Sequence, residues 1–214
     1  GLSLECKQMS KLLNLPIDKF AFVPFCIDTK FFSPSRENVH GNFILIIGAD
    51  PKRDWILYEK IFNKFTDRKF IVVTFPNLIK KELPKNVELK YNLSISDVRS
   101  LIRKCKFLLI LSKENYRFAG QSTIFRAMAC SKAVIFTKSK GTEEYSLTNK
   151  LNCLTVAAGN FREVSNAINY LLKNKNKIIS IESQARFYIK KNLNYNIYTK
   201  HLENLFRQSV INYE

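Results

Sequence analysis

Three glycine-bearing stretches hold the residues that could do chemistry, and the chemistry they suggest is the holding of an anion. Gly48-Ala-Asp-Pro-Lys-Arg-Asp places a glycine at the end of an apolar run and two cations, Lys52 and Arg53, just before a segment of helical period. Either cation there can point at an anion, while Asp50 or Asp54 caps the helix. Phe118-Ala-Gly-Gln-Ser-Thr-Ile offers Gly120 for close backbone approach, then Ser122 and Thr123 at a helix start whose free N–H groups can bind phosphate. A plain Ser or Thr cap is the other reading of that stretch. Lys138-Ser-Lys-Gly-Thr-Glu-Glu-Tyr carries Gly141 after a strand and Glu144 beyond it, a weak signal taken alone.

Stretches of this kind act together only if a scaffold brings them to one edge. Apolar runs bounded by turn residues alternate here with segments of helical period, which predicts βα units around a parallel sheet. The expected strands are Phe20 to Pro24, Phe43 to Gly48, Phe70 to Thr74, Val87 to Lys90, Phe107 to Leu111, Val134 to Thr137 and Cys153 to Val156. Most are unbroken Ile, Val, Leu and Phe, as befits strands covered on both faces. Helices are expected over Arg53 to Phe65, Ile95 to Cys105, Gln121 to Cys130 and Phe161 to Leu172, and an earlier one over Leu4 to Leu15. Beyond Lys173 the strands stop, and residues 176–210 read as two helices broken near Asn192-Leu-Asn-Tyr-Asn. Tyr198, Leu202, Leu205 and Phe206 form an apolar stripe there that is expected to pack back onto the domain. In an open α/β sheet ligands bind beyond the carboxyl ends of the strands, where all three glycine stretches fall.

Composition narrows the classes of function. The 214 residues are 46% hydrophobic and 13% aromatic, enough to bury a core and too few for a complete two-lobed enzyme. Five cysteines, odd in number and without a C-x-x-C pair, argue against a disulfide framework or zinc site and for a reducing cytosol. His40 and His201 have no partners at metal-ligand spacing, so no metal site is expected. No apolar run approaches a membrane span, and the start lacks the pattern of a signal peptide. Lys plus Arg number 35 against 18 Asp plus Glu, a formal charge of +17. That charge admits nucleic acid, an anionic membrane surface or an anionic substrate as partner. Its even spread over a Lys- and Asn-rich chain also fits compositional drift, and no RNP-like motif, helix-turn-helix or single basic stripe supports specific nucleic-acid binding.

The ordered set of stretches resembles the donor-binding half of GT-B glycosyltransferases, glycosyltransferase family four above all. Val23-Pro-Phe-Cys-Ile-Asp-Thr-Lys-Phe-Phe-Ser-Pro is similar to that family's interdomain segment V-P-N-G-V-D-x-x-x-F-x-P, with Cys26 in place of glycine. Ala127-Met-Ala-Cys-Ser-Lys-Ala-Val-Ile is similar to E-A-M-A-C-G-K-P-V-I. Gly48 and Arg53 fall where the family has its glycine and phosphate-binding cation, and Gly141 and Glu144 where a G-x-x-E element precedes a short helix. The resemblance covers nearly the whole chain. It implies a Rossmann-like parallel sheet with helices on both faces, one GT-B lobe, plus C-terminal helices. The domains would be a remnant of a preceding domain with the interdomain linker over 1–36, the donor-binding domain over 37–175, and C-terminal helices over 176–214.

The resemblance further implies a nucleotide-sugar as substrate, with no cofactor and no metal. Arg53, Lys52, Gly48 and the N–H groups near Gly120, Gln121 and Ser122 would hold the diphosphate, and Phe118, Arg126, Gly141 and Glu144 would lie by the sugar and ribose. The sugar would pass to an acceptor hydroxyl, with retention of configuration. The site departs from the family at the E-x7-E pair, whose positions hold Phe118 and Arg126. An arginine has five donors and no acceptor, and losing one charged hydrogen bond costs about 1.5 to 3 kcal/mol. A shifted loop could bring Glu114 in for the first glutamate. The chain is also short of an acceptor-binding domain, which leaves a split enzyme, a fragment or a lost activity, and the general base would come from that other domain or subunit. A degenerate, non-catalytic module is the alternative reading, and a basic nucleic-acid or membrane-surface binder the third. The expected location is cytoplasmic, at the inner face of a membrane.

Overall fold

The computed structural model describes residues 4–35, 41–76, 78–79 and 82–211. A leading helix α1 (Leu4–Leu13) and a 3-10 turn (Ile17–Lys19) precede β1 (Phe43–Ile47), α2 (Trp55–Lys64), β2 (Lys69–Val73) and β3 (Val87–Lys90). Then follow α3 (Ile95–Lys104), β4 (Phe107–Ile110), α4 (Gln121–Ala129), β5 (Val134–Thr137), a second 3-10 turn (Lys140–Glu144) and β6 (Leu154–Val156). Three helices, α5 (Phe161–Lys173), α6 (Lys175–Asn192) and α7 (Tyr195–Ile211), close the chain. The six strands form one sheet in the order β3-β2-β1-β4-β5-β6, and every pairing is parallel.

Successive side chains of a strand face opposite ways, and here both sets are buried. Leu45, Ile71, Leu108, Ile110, Val134 and Phe136 enter one core with α3, α4 and α6. Ile44, Ile46, Phe70, Val72, Phe107, Leu109 and Ile135 enter the other with α2 and α5. This is why the strands read as unbroken apolar runs rather than alternations. Tyr58 is wholly buried in the second core, where its hydroxyl donates to Leu109 O at 3.1 Å and accepts from Leu111 N at 2.7 Å. Burial pushes its phenol up to about 12. Tyr58→Phe leaves a buried N–H without its partner and is expected to cost about 1 to 3 kcal/mol in urea unfolding. A loss within error of zero would contradict that accounting.

The sequence expectation differs from the structure at Phe20 to Pro24, which is extended but joins no strand. Phe22 meets Tyr145 edge-on at 6.0 Å, and just beyond the segment Ile27 bridges to Asn194 after α6. Arg186 on α6 ties that segment down by donating to Thr29 O, Phe32 O and Ala129 O at 3.0, 2.9 and 2.5 Å. Most of the polar stretch Ser35 to His40, together with Lys80 and Lys81, lies outside the described residues, whereas His201 is exposed on α7. In the apolar stripe of α7, Tyr198, Leu202 and Leu205 are half-buried and Phe206 is exposed. The five cysteines are free thiols, four of them buried. Among the described residues no group of three or more His, Cys, Asp or Glu is placed to hold a metal, and no helix is long and apolar enough to cross a membrane.

Glu182 on α6 is buried, and burial raises its carboxyl to about 7 from an ordinary 4.5, while Lys132 and the Ala133 N–H pull it down. The folded chain then keeps a proton that the unfolded chain has released, so this group's contribution is full below about pH 4.5 and is lost as pH rises through about 7. Glu182→Gln is expected to remove that fall between about pH 5 and about pH 8 in urea-unfolding midpoints. An unchanged pH profile in the variant would count against it.

Candidate functional site

The strand order reverses direction between β1 and β4, which is where a parallel sheet of this order opens a crevice at its carboxyl edge. The loops after these two strands are stitched together there. Arg53 bridges to Ser112, Lys113 N donates to Lys52 O at 2.8 Å, and Asp54 N donates to Leu111 O at 3.2 Å. Of the two aspartates that could cap α2, Asp54 does so, accepting from Leu57 N at 3.0 Å. Asp50 instead accepts from Lys52 N at 2.7 Å and shapes the loop.

Capping by Asp54 turns Arg53 inward, where it is 3% exposed. Its guanidinium occupies the room that two glycines leave. A Cβ on Gly48 would stand 2.6 Å from Arg53 Nε, and one on Gly120 2.7 Å from Nη2. Both glycines have positive φ, +146° and +85°, so each supplies a conformation and an open space that other residues lack. Arg53 Nε and Nη1 are buried without a hydrogen-bond partner among the described residues. A buried cation without acceptors is costly. Gly120 also starts α4 without any side-chain cap for the first N–H groups of that helix.

The adjoining cleft encloses about 1770 Å³ and is lined by Lys52, Phe118, Gly120, Gln121 and Ser122 among others. Arg117, Lys138 and Lys140 add cations, and Asp50, Glu114, Glu143 and Glu163 add carboxylates. A second cavity of about 570 Å³ meets it at Phe25, Phe118 and Gln121, and reaches under α1 to Gly141, Glu144 and Tyr145. A third, of about 670 Å³, lies at the opposite end of β4 and β5. Its two arginines, Arg103 and Arg186, are committed to the backbone carbonyls of Ser33, Phe32 and Thr29.

Gly48 and Gly120 pack against Arg53, and Lys52, Gly120, Gln121 and Ser122 line the adjoining cleft. Phe118 lines the same cleft and, with Gly141 and Glu144, the second cavity that meets it, whereas Arg126 lines neither. Phe118 stacks into an aromatic cluster with Phe125, Phe136 and Tyr145, at ring separations of 5.6, 5.5 and 5.8 Å. Arg126 lays its guanidinium 5.3 Å from the Phe32 ring and is half-buried, with burial holding it below the ordinary guanidinium value. Gly141 is pressed on the backbone of Tyr116 to Phe118, its would-be Cβ 2.7 Å from Phe118 N. Glu144 accepts from Leu4 N at 2.6 Å and so anchors α1. One group that sequence reasoning passed over is Tyr145, whose hydroxyl accepts from Phe25 N at 3.3 Å and from the Gln121 amide. Its only sequence signal was its place at the end of the third glycine stretch.

The sheet order, the cleft at the reversal point and the trailing helices define the class: this is the fold of the C-terminal lobe of a GT-B glycosyltransferase. Anabaena Alr3699/HepE, solved with UDP-glucose, superposes with TM-score 0.78 at 15% identity over 96% of this chain and 63% of its own. A glycosyltransferase from Rickettsia africae ESF-5 superposes with TM-score 0.78 at 17% identity over 95% of this chain and 61% of its own. The chain thus spans under two thirds of the length of either. The C-terminal domain of a glycosyl transferase group 1 family protein, LpcC, from Francisella tularensis superposes with TM-score 0.64 at 17% identity, over 79% of this chain and 99% of that domain. No protein-family model and no curated protein matches the sequence.

Proposed function

We propose that the chain is the donor-binding half of a glycosyltransferase, holding a nucleotide-sugar by its diphosphate. The observation that carries this reading is Arg53, a buried guanidinium with two unpartnered nitrogens, set between Gly48 and Gly120 beside the uncapped start of α4. HepE, which shares the fold, has been solved with UDP-glucose and with UDP. When the sugar leaves, negative charge grows on the diphosphate. Arg53, Lys52 and the α4 N–H groups are fixed donors for it, in a place where they need no rearrangement. The acceptor and the general base come from a preceding domain or separate subunit. A formal charge of +17 suits work at the anionic inner face of a membrane, in the cytoplasm.

The test is thermal unfolding with UDP, GDP, ADP and their glucose conjugates, since a ligand of the folded state raises the midpoint by mass action. A rise for one nucleotide supports the reading. No rise with any of them defeats it.

A second reading has its own observation. Phe118 and Arg126 are taken up by the aromatic cluster and by Phe32, as in a site that has drifted from catalysis to packing. On that reading the module assembles with partners and transfers nothing. Transfer of sugar after an acceptor-binding domain is supplied would dispose of it.

A further inference from the structure

The positive charge of this chain is concentrated, without opposition, on one part of its surface. Between Val164 and Leu202 the sequence holds seven Lys and Arg residues and a single acid, Glu182. Glu182 is buried in α6, with Lys132 acting on its carboxyl from just before β5, so no exposed acid offsets those cations. The outside of this region is cationic throughout.

The helix α6 arranges that charge around an apolar patch. With about 3.6 residues per turn, Ile178, Ile181, Ala185, Tyr188 and Ile189 form the side that is buried on the domain. The opposite side presents Ile179, Ser183, Phe187 and Lys190 at steps of three or four positions, with Lys175 one turn before and Lys191 next to Lys190, all of them exposed. Ile179 and Phe187 are 50% and 59% exposed, and the Lys191 ammonium lies 5.7 Å from the centre of the Phe187 ring. One exposed apolar side chain is ordinary on a protein surface. Two on one side of a helix, with lysines at both ends and neutral residues between, form an apolar patch flanked by cations. The same side borders the cavity of about 670 Å³, where Ile179 and Ser183 are joined by Lys106 and Lys132, and where the one carboxylate is again Glu182.

An anionic bilayer matches both halves of this pattern. Lysine ammonium groups meet lipid phosphates, and Ile179 and Phe187 reach the boundary between headgroups and acyl chains. Nucleic acid would satisfy the lysines but offers an aliphatic side chain such as Ile179 nothing apolar to enter. We infer that this side of α6 seats the chain on an anionic lipid bilayer. This goes beyond the donor-binding reading and stands without it, because no residue of α6 lines the cleft.

Co-sedimentation of the full chain with vesicles separates a seated helix from attraction by net charge. Mixed phosphatidylglycerol and phosphatidylcholine vesicles are expected to bind the parent about tenfold or more tightly than phosphatidylcholine alone. Ile179→Ser with Phe187→Ser leaves the charge unchanged and is expected to weaken binding to the mixed vesicles about tenfold. Lys190→Glu with Lys191→Glu is expected to weaken it about tenfold or more. Lys60→Glu with Lys85→Glu makes the same change of charge at exposed positions on α2 and before β3, and is expected to alter binding by less than about threefold. Thermal midpoints of all three variants should match the parent, since the substituted side chains are exposed. Equal losses in the two lysine pairs, or no loss in the serine pair, overturn the inference and leave only diffuse attraction. A parent that is dimeric in solution and becomes monomeric with the serine pair overturns it too, and assigns this side of α6 to a second copy of the chain. Binding of the parent to neither kind of vesicle removes the inference and leaves the nucleotide site untouched.

Discussion

Arg53→Met is expected to lower the affinity for the nucleoside diphosphate that binds by about a hundredfold or more, and to leave the unliganded protein no less stable. Two of its nitrogens are unpartnered and would meet the proposed diphosphate, and each hydrogen bond to a charged group is worth about 1.5 to 3 kcal/mol. Two of them correspond to roughly two to four decades in Kd. Stability moves the other way because the parent buries a cation at 3% exposure without an acceptor, a group whose replacement by an apolar chain of like volume is neutral or stabilising. The methionine fills the same space between Gly48 and Gly120. The pair of measurements is a thermal midpoint without ligand and a titration with it. A variant that binds as tightly as the parent would falsify the assignment of Arg53, and one that unfolds at much lower temperature would mean that the guanidinium serves packing.

Gly120→Ala has the other large effect, and it acts on fold and site together. An added Cβ would meet Arg53 Nη2 at 2.7 Å and Ile110 Cγ2 at 2.9 Å, in a backbone of φ +85° that suits glycine. Strain of this kind costs about 1 to 3 kcal/mol, before any displacement of Arg53 is counted. The methyl group is expected to push the guanidinium out of its place and tilt the start of α4, so that stability falls and the ligand-induced rise in midpoint disappears. Retained binding in Gly120→Ala would show that the phosphate lies elsewhere in the cleft. Reading Arg53→Met and Gly120→Ala side by side separates loss of charge from loss of shape.

Most of the scaffold was legible because its signals are local. A strand buried on both faces must be apolar throughout, so Ile44 to Ile47 and Phe107 to Ile110 announce themselves without reference to anything distant. Helix starts follow from single residues, as Ser94 and Asn160 show by accepting from Asp97 N and Glu163 N. Phe20 to Pro24 misled for the same reason. Its Phe-Ala-Phe-Val pattern is apolar enough for a strand, yet the partner of Phe22 is the ring of Tyr145, about 120 positions away, which periodicity does not register.

The site divides along the same line. The residues proposed to hold the diphosphate, Gly48, Lys52, Arg53, Gly120, Gln121 and Ser122, each lie within a few positions of a strand end or helix start, and that is information the chain carries locally. The places of Phe118, Arg126, Gly141 and Glu144 were settled by contacts with Phe125, Phe32, the 116–118 backbone and Leu4, none of which follows from spacing. By itself, then, the sequence determined the parallel sheet and the order of its loops, because backbone conformation and burial are properties of short stretches. Tertiary structure alone decided that Arg53 is buried rather than waving in solvent, that Tyr145 holds Gln121, and that Glu144 anchors α1. Those outcomes depend on which side chains converge in space, and packing at close range between distant segments leaves no mark in the order of the residues.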